Sequence, residues 1–319
     1  MRAKLWRRWT GLGFGVQLLL VLLVLNASLN PARFAPAAWG TLLGMAAPLV
    51  CAAMAATPVI LSGRGGIDIA TGALMGAINA VVVMGCFGAW GLSSPWVVIP
   101  VAVLGGAAVG ALSGWFAVVV RVQPIVATLG SSLILGGLTL AAVPEPGGQI
   151  APWLQQWSGV GSLLPLLMLG GCWALLRWLP YHQLLMATGS DDRAAFTAGV
   201  PVSWVRWWAY VIGGAFAGVA ALSLTALISS ADPGIAPNYT MFAISAAALG
   251  GVSLAGGRGG MRQAAVGALD IFLLQTALTY FNASTFTLQM AYGSLLLVAV
   301  CTSAWQHRRK LQLRQEVAL

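Results

Sequence analysis

The chain has 319 residues, of which 59% are hydrophobic and 7% are charged. A soluble domain carries about 25% charged residues, so this composition excludes an ordinary soluble fold. The formal net charge is +9, but nucleic-acid binding needs basic residues grouped on a wet face, and here they sit in short turns between apolar runs. We therefore expect one all-α, polytopic membrane domain over residues 1–319.

Apolar runs follow one another along almost the whole chain. A helix needs about 20 mainly apolar residues to cross the hydrocarbon core. Glycine, proline and charge clusters divide the runs into ten predicted transmembrane helices: 12–29, 39–61, 67–88, 96–120, 124–143, 161–179, 207–229, 239–256, 264–281 and 286–304. The divisions near 62–66, 121–123 and 257–263 are short, so two neighbouring spans could instead form a re-entrant pair. We expect the first helix to be retained rather than removed as a secretory signal.

The basic residues of the predicted loops indicate how the chain is oriented. With a cytoplasmic N-terminus, Arg33 is left outside and the other lysines and arginines fall inside. Because short cytoplasmic loops carry an excess of Lys and Arg, we expect both termini to be cytoplasmic.

Two glycine-rich turns resemble each other, at residues 62–68 (SGRGGID) and 256–262 (GGRGGMR). Each follows an apolar span and precedes a helix with a Gly-Ala-Leu triplet, which begins at Gly72 or Gly267. Both turns would face the same side, which suggests a parallel internal repeat whose broken helices line a path, as in many transporters. Ordinary helix breaks filled by glycine are the alternative interpretation.

Two acids fall inside predicted spans, where an ionisable side chain suggests a functional role. Asp68 opens the third span and could also serve as a partner for the positive end of a helix. Asp270 lies about two turns into the ninth span. It could pair with Arg258 or Arg262, or it could take part in transport.

The longest predicted cytoplasmic loop covers residues 180–206. We expect Ser190 to cap a short helix that begins at Asp191, since the acids Asp191 and Asp192 suit the positive end of a helix dipole. Gly199, soon followed by a proline, is a stop signal. This helix is either a solvated connector or a lever that fits into a motor subunit.

No pattern in the sequence favours an enzyme. The glycine-rich turns lack the lysine of a GxxxxGK[ST] phosphate loop. His182 and His307 are far apart and have no metal-ligand spacing, and the four cysteines lie singly in apolar stretches. We expect no catalytic residue, metal or cofactor on this chain.

Four blocks resemble the permease subunits of ribose-type ABC importers and occur in the same order as in that family. Residues 65–73 (GGIDIATGA) are similar to GGIDLSVGA, and residues 122–130 are similar to VPPFIATLG. Residues 187–200 resemble AxGxNxxAAxxAGI, and residues 248–259 resemble GGxSLxGGxG. The chain departs from the family at Ala70, where a serine is usual. It also departs at Gln275, often asparagine, and at Asp270, usually apolar.

The resemblance implies an importer of the bacterial inner membrane with several subunits. A periplasmic binding protein would deliver the solute, two permease chains would form the pathway as a homo- or heterodimer, and a cytoplasmic ATPase, often a double cassette, would bind ATP-Mg. The solute could be a pentose, a hexose or autoinducer-2, and more distantly a nucleoside or a branched-chain amino acid. The rival hypothesis is a secondary transporter in which Asp270 titrates during transport.

The residues expected to take part fall into two groups. The translocation-path candidates are Gly65, Gly66, Asp68, Thr71, Gly250, Gly251, Ser253, Asp270 and Gln275. The candidates for the ATPase contact, on the short helix of the 180–206 loop, are Asp191, Asp192, Arg193, Ala194, Ala195 and Gly199.

Overall fold

The computed structural model describes residues 13–284, 286–287, 290–291, 293–294 and 297. Within these residues the regular structure is helical and contains no β-strand. One isolated antiparallel bridge joins Gly147 to Ala231. The prediction of an all-α fold is confirmed.

Twelve α-helices occur in the described part of the chain. They are α1 (Phe14–Leu29), α2 (Trp39–Leu61), α3 (Thr71–Ala80), α4 (Pro95–Val118), α5 (Pro124–Ala142), α6 (Pro152–Gln155), α7 (Leu163–Trp178), α8 (Pro180–Ser190), α9 (Asp192–Thr197), α10 (Val202–Ile228), α11 (Asn238–Gly250) and α12 (Met261–Tyr280). A π-helix, Val81–Ala89, continues α3. Short 3-10 turns occupy Pro31–Phe34, Pro36–Ala38, Gln156–Ser158 and Val160–Ser162.

Six segments of the described chain are long and apolar enough to cross a membrane. They are Pro36–Leu61, Thr71–Ala89, Pro95–Val118, Pro124–Ala142, Val160–Trp178 and Val202–Ile228. The helices α1 and α11 are shorter, with 16 and 13 residues, and α12 is less apolar. The tenth predicted span, 286–304, lies mostly outside the described residues, as do the basic residues at both termini. The count of ten and the orientation of the termini stay predictions.

The helix α2 lies at the centre of the bundle. Every residue from 46 to 61 is buried, including Pro48 and Pro58, and α2 packs against α10, α11 and α12. A helix that is apolar on all sides is found inside a core or in contact with lipid, and for α2 the neighbouring helices provide that cover. By contrast, α5 exposes large apolar side chains such as Leu133 and Ile134, which suits a surface in contact with lipid.

The most extensive contact between two helices of the described chain joins α4 to α10. Gly106 and Gly110 of α4 face Gly214 of α10, and Gly218 faces the Ala102 carbonyl. A Cβ atom at any of these four glycines would overlap the backbone of the opposite helix. Glycine at these positions allows the two backbones to touch, which is a common way for membrane helices to associate.

Candidate functional site

Three segments that are distant in sequence meet at four glycines, which we call the glycine junction: Gly63, Gly189, Gly256 and Gly257. The Gly257 N–H donates a hydrogen bond to the Leu61 carbonyl oxygen at 3.1 Å. A Cβ at Gly189 would overlap that same carbonyl, and a Cβ at Gly256 would overlap the backbone of Gly63. The two glycine-rich turns and the end of α8 are therefore in backbone contact with one another.

Two pairs of corresponding glycines in the turns have positive φ. Gly63 has φ +74° and Gly257 has φ +64°, and Gly65 has φ +70° and Gly259 has φ +100°, which are values that residues with a side chain rarely adopt. The structure thus places both predicted turns side by side. The internal repeat that their sequences suggest stays a prediction.

The third predicted span does not begin as a helix. We expected a span over 67–88, but α3 starts at Thr71, and residues 67–70, which we call the unwound segment, are not helical. Apart from the Ala70 carbonyl, which accepts from the Leu74 N–H at 2.7 Å, the backbone groups at this position have no helical partners. Because an unpaired N–H or C=O is costly within a membrane protein, other groups must bond to them.

Two buried threonines supply those bonds from opposite sides. Thr128 of α5 accepts a hydrogen bond from the Ile69 N–H at 3.2 Å, and its own hydroxyl lies 3.0 Å from the Pro124 carbonyl oxygen and 3.3 Å from the Ile67 carbonyl oxygen, either of which can accept its one proton. Thr240 of α11 donates to the Ile69 carbonyl at 3.2 Å and accepts from the Gly72 N–H at 2.9 Å. Neither threonine was predicted as a site residue from the sequence. Their signal was a hydroxyl inside an otherwise apolar span.

Asp68 lies inside the unwound segment and is buried. One carboxylate oxygen accepts a hydrogen bond from the Ala70 N–H at 2.8 Å, and the other accepts one from the Thr71 hydroxyl at 3.3 Å. The acid therefore holds the start of α3 in place, as its predicted role beside a helix N-terminus requires. Gly66 is also buried, whereas Gly65 is exposed.

The other predicted path residues lie elsewhere. Gly250 packs so closely on α12 that a Cβ would overlap the Gln263 carbonyl, and Gly251 ends α11 with φ +100°. Ser253 belongs to the stretch leading into the second glycine-rich turn, where its N–H donates to the Arg258 carbonyl at 3.0 Å. Gln275 is exposed on α12. The predicted set is therefore divided among the first glycine-rich turn with the unwound segment, the end of α11 with the stretch that follows it, and α12.

Asp270 is fully buried, and neither of its carboxylate oxygens has a hydrogen-bond partner. A Cβ at Gly15 of α1 would lie 3.5 Å from one of these oxygens, so the acid sits where α12 meets α1. Within the described residues no ion pair joins it to Arg258 or Arg262. Of the two possibilities that the sequence left open for Asp270, the structure shows no hydrogen bond that would support a pair with Arg258 or Arg262.

We expect Asp270→Leu to stabilise the folded chain by about 1–3 kcal/mol, because it removes an unpaired buried polar group and keeps a similar volume. Asp68→Leu is the matched control and should lower stability, since it removes an acid whose oxygens accept hydrogen bonds. The midpoint of thermal unfolding of the purified proteins checks both. A lower midpoint for Asp270→Leu would contradict the expectation.

The 180–206 loop contains more helix than predicted. Ser190 is the last residue of α8, where its hydroxyl donates to the Met186 carbonyl, so it does not cap the next helix. The cap of α9 is Asp191, whose carboxylate accepts hydrogen bonds from the N–H groups of Arg193 and Ala194, both at 3.0 Å. The extended backbone at Asp191 lets its own side chain reach these amides.

The short helix α9 presents one face to the protein and another outward. Ala195 is buried, whereas Arg193, Ala194 and Phe196 are exposed. Phe196 is 71% exposed and was not among our candidates. Gly199, with φ +85°, follows the helix as the predicted stop signal.

Asp192 at the start of α9 bridges two arginines. Its Oδ2 lies 3.2 Å from Arg206 Nη2 and 3.7 Å from Arg64 Nε. Burial by itself would raise the pKa of Asp192, but the hydrogen bond and charge of Arg206, together with the charge of Arg64, outweigh burial and lower the pKa. Asp192 therefore stays ionised and ties α9 to the first glycine-rich turn.

His182 is the histidine of the described chain, and it lies on α8. Its ring packs edge-on against Trp173, with ring centroids 5.5 Å apart. Burial and the positive charge of Arg177 lower its pKa. Among the described residues, no group of three or more His, Cys, Asp or Glu side chains is arranged to hold a metal ion.

Comparison with known proteins places these features in a family. Residues 38–301 match the family model described as the branched-chain amino acid transport system / permease component. No solved structure matches the chain.

Several curated relatives match along most of their length. The chain is 28% identical to the ribose import permease protein RbsC of Haemophilus influenzae over 311 residues, which cover 92% of this chain and 93% of that protein. It is 30% identical to RbsC of Bacillus subtilis, with 88% and 89% covered. It is 28% identical to the autoinducer 2 import system permease protein LsrD of Photorhabdus laumondii, with 79% of each chain covered.

The matched region contains all six membrane-spanning candidates except the first two residues of Pro36–Leu61. These relatives and the apolar helices identify a multi-pass protein of the bacterial inner membrane, a transport component and not an enzyme. The chain belongs to the family of the permease component of branched-chain amino acid transport systems.

Proposed function

We propose that this chain is the transmembrane subunit of an ATP-driven importer for a sugar, such as a pentose, a hexose or autoinducer-2. The relatives are named as permeases for ribose and autoinducer 2. The observation that carries the proposal is the connection, through Asp192 and the glycine junction, between the surface helix α9 and the first glycine-rich turn, which leads into the unwound segment. An ATPase that moves α9 would therefore also act on the unwound segment, where the backbone is not helical.

The proposed complex contains a second permease chain, a periplasmic binding protein and a cytoplasmic ATPase that binds ATP-Mg. This chain itself would bind no cofactor. It would form a single transmembrane domain over residues 1–319, with about ten spans and both termini in the cytoplasm, and residues 180–206 would form its coupling loop. The exposed Phe196 and Arg193 give α9 an outward face for the ATPase.

The unwound segment and Asp68 are the proposed centre of the path. Non-helical backbone within a membrane protein is found where it is buried in protein or lines a cavity. Here Thr128 and Thr240 hold that backbone between α5 and α11. If the two helices separate, the same hydroxyls and amides become available to a polar solute.

ATP-dependent uptake in liposomes tests the proposal. The permease would be reconstituted with its cognate ATPase and binding protein, and labelled ribose, a hexose and autoinducer-2 would be supplied in turn. We expect uptake of one sugar that requires ATP and continues when a proton ionophore abolishes the proton gradient. An ATPase variant unable to hydrolyse ATP is the control.

Two results would overturn the proposal. Flux through the permease alone, without ATPase or ATP, would indicate a channel or a secondary transporter. Loss of uptake with the ionophore at constant ATP would favour a secondary transporter, and Asp270 would then be the acid to test first.

A further inference from the structure

We infer that Arg206 is a positioning residue that makes α9 and the first glycine-rich turn move as one body, so that motion of α9 reaches the unwound segment. This inference rests on the proposed function, in which α9 receives the force of the ATPase. From the sequence, Arg206 was predicted to lie at the end of the 180–206 loop. In the structure it lies in the first turns of α10.

The guanidinium of Arg206 holds two segments with two different nitrogens. Its Nη2 donates to the Asp192 carboxylate at 3.2 Å, and its Nε donates to the Ser62 carbonyl oxygen at 3.3 Å. The Arg206 side chain is only 12% exposed. A planar guanidinium presents its donors in a fixed arrangement, so both bonds fix the distance between α9 and the end of α2.

The chain between Ser62 and the unwound segment is short and internally bonded. Ser62 is buried, and its hydroxyl donates to the Val59 carbonyl at 2.7 Å. The Gly66 N–H donates to the Gly63 carbonyl at 3.0 Å, and the Ile67 N–H donates to the Gly65 carbonyl at 2.8 Å. A displacement of Ser62 therefore reaches Ile67 through a compact turn and is not absorbed by a long loop.

Arg64 provides an internal comparison. It also pairs with Asp192, at 3.7 Å, but its side chain is 76% exposed. An exposed ion pair contributes little and is screened by salt. A partly buried pair is costly to break, because it leaves a charge without its partner. Arg206, and not Arg64, is therefore the arginine that keeps α9 attached to the turn.

The test compares Arg206→Lys with Arg64→Lys in the reconstituted importer. A lysine keeps the positive charge but has a single nitrogen, which cannot reproduce the two-nitrogen arrangement. We expect Arg206→Lys to raise the ATP hydrolysed per sugar transported about tenfold, the factor that corresponds to losing one hydrogen bond to a charged group. Arg64→Lys should leave this ratio close to that of the wild type.

Two further measurements separate positioning from a merely structural role. In Arg206→Lys, binding of the ATPase should stay near the wild-type value, and the midpoint of thermal unfolding of the permease should fall by only a few degrees. Asp192→Asn removes the negative charge from the other side of the same contact, and it should also raise the ATP-to-sugar ratio. It provides a second variant if Arg206→Lys folds poorly.

The inference is overturned if Arg206→Lys and Asp192→Asn both transport with the wild-type ratio. It is also overturned if the ratio changes only in proportion to lost folding or lost ATPase binding. Absence of ATP-dependent uptake by the wild-type complex is a different result, since it refutes the proposed function itself, and this inference along with it.

Discussion

Gly218→Leu is expected to prevent the chain from forming a stable bundle. Gly218 of α10 faces the Ala102 carbonyl of α4, and even a Cβ atom there would overlap that backbone. A leucine adds three more carbon atoms, so the two helices would have to separate along their length. Overpacking of a well-packed core costs about 1–3 kcal/mol, and the lost backbone contact adds to this cost. We expect a destabilisation at or above the top of that range.

Gly137→Leu is the matched control for this prediction. Gly137 also lies in a membrane-spanning candidate, α5, but a Cβ there meets nothing within 4 Å. The midpoint of thermal unfolding and the size-exclusion profile of the detergent-purified proteins provide the comparison. If both leucine variants unfold at the same temperature as the wild type, the α4–α10 contact does not determine stability.

Gly189→Val is expected to abolish uptake while the chain still folds and inserts. A Cβ at Gly189 would overlap the Leu61 carbonyl and come within 2.5 Å of the Gly257 nitrogen. Valine would therefore force α8 away from both glycine-rich turns. The helices of the bundle keep their own contacts, because the junction joins their ends and not their packed faces. We expect at least about a tenfold loss of uptake, equivalent to 1.4 kcal/mol or more of lost coupling.

Gly171→Val serves as the control for the junction. Gly171 lies on α7, and a Cβ there meets nothing within 4 Å. Uptake should be measured together with the amount of folded protein in the membrane. Wild-type uptake by Gly189→Val would show that the three segments need not touch for transport. A loss of folded protein equal to the loss of uptake would instead make the junction a requirement for folding.

Much of the fold could be predicted because it depends on local properties. The length of an apolar run decides whether a helix can span lipid, and predicted spans such as 39–61 and 124–143 agree closely with α2 and α5. Gly199 stops a helix because glycine adopts positive φ at little cost. The wrong prediction of the α9 cap also has a local cause. Ser190 and Asp191 are both good caps, and only the backbone conformation decided between them.

The candidate site was predicted less completely. The glycine-rich turns and Asp68 could be selected from the sequence, because intramembrane acids and clustered glycines are rare enough to attract attention. Thr128 and Thr240 could not be distinguished from other hydroxyl residues, since a threonine in a helix commonly bonds to its own backbone. Their role appears only when α5 and α11 approach the unwound segment from two sides.

The sequence by itself determined the class of protein, the approximate positions of its helices and the family resemblance, because composition, run length and motif order do not depend on distant contacts. Only the tertiary structure decided which groups meet. It left Asp270 unpaired among apolar helices, joined Asp192 to Arg206, and brought Gly63, Gly189 and Gly256 together. Backbone contacts between residues more than a hundred positions apart depend on how the helices pack, and no local pattern encodes that packing.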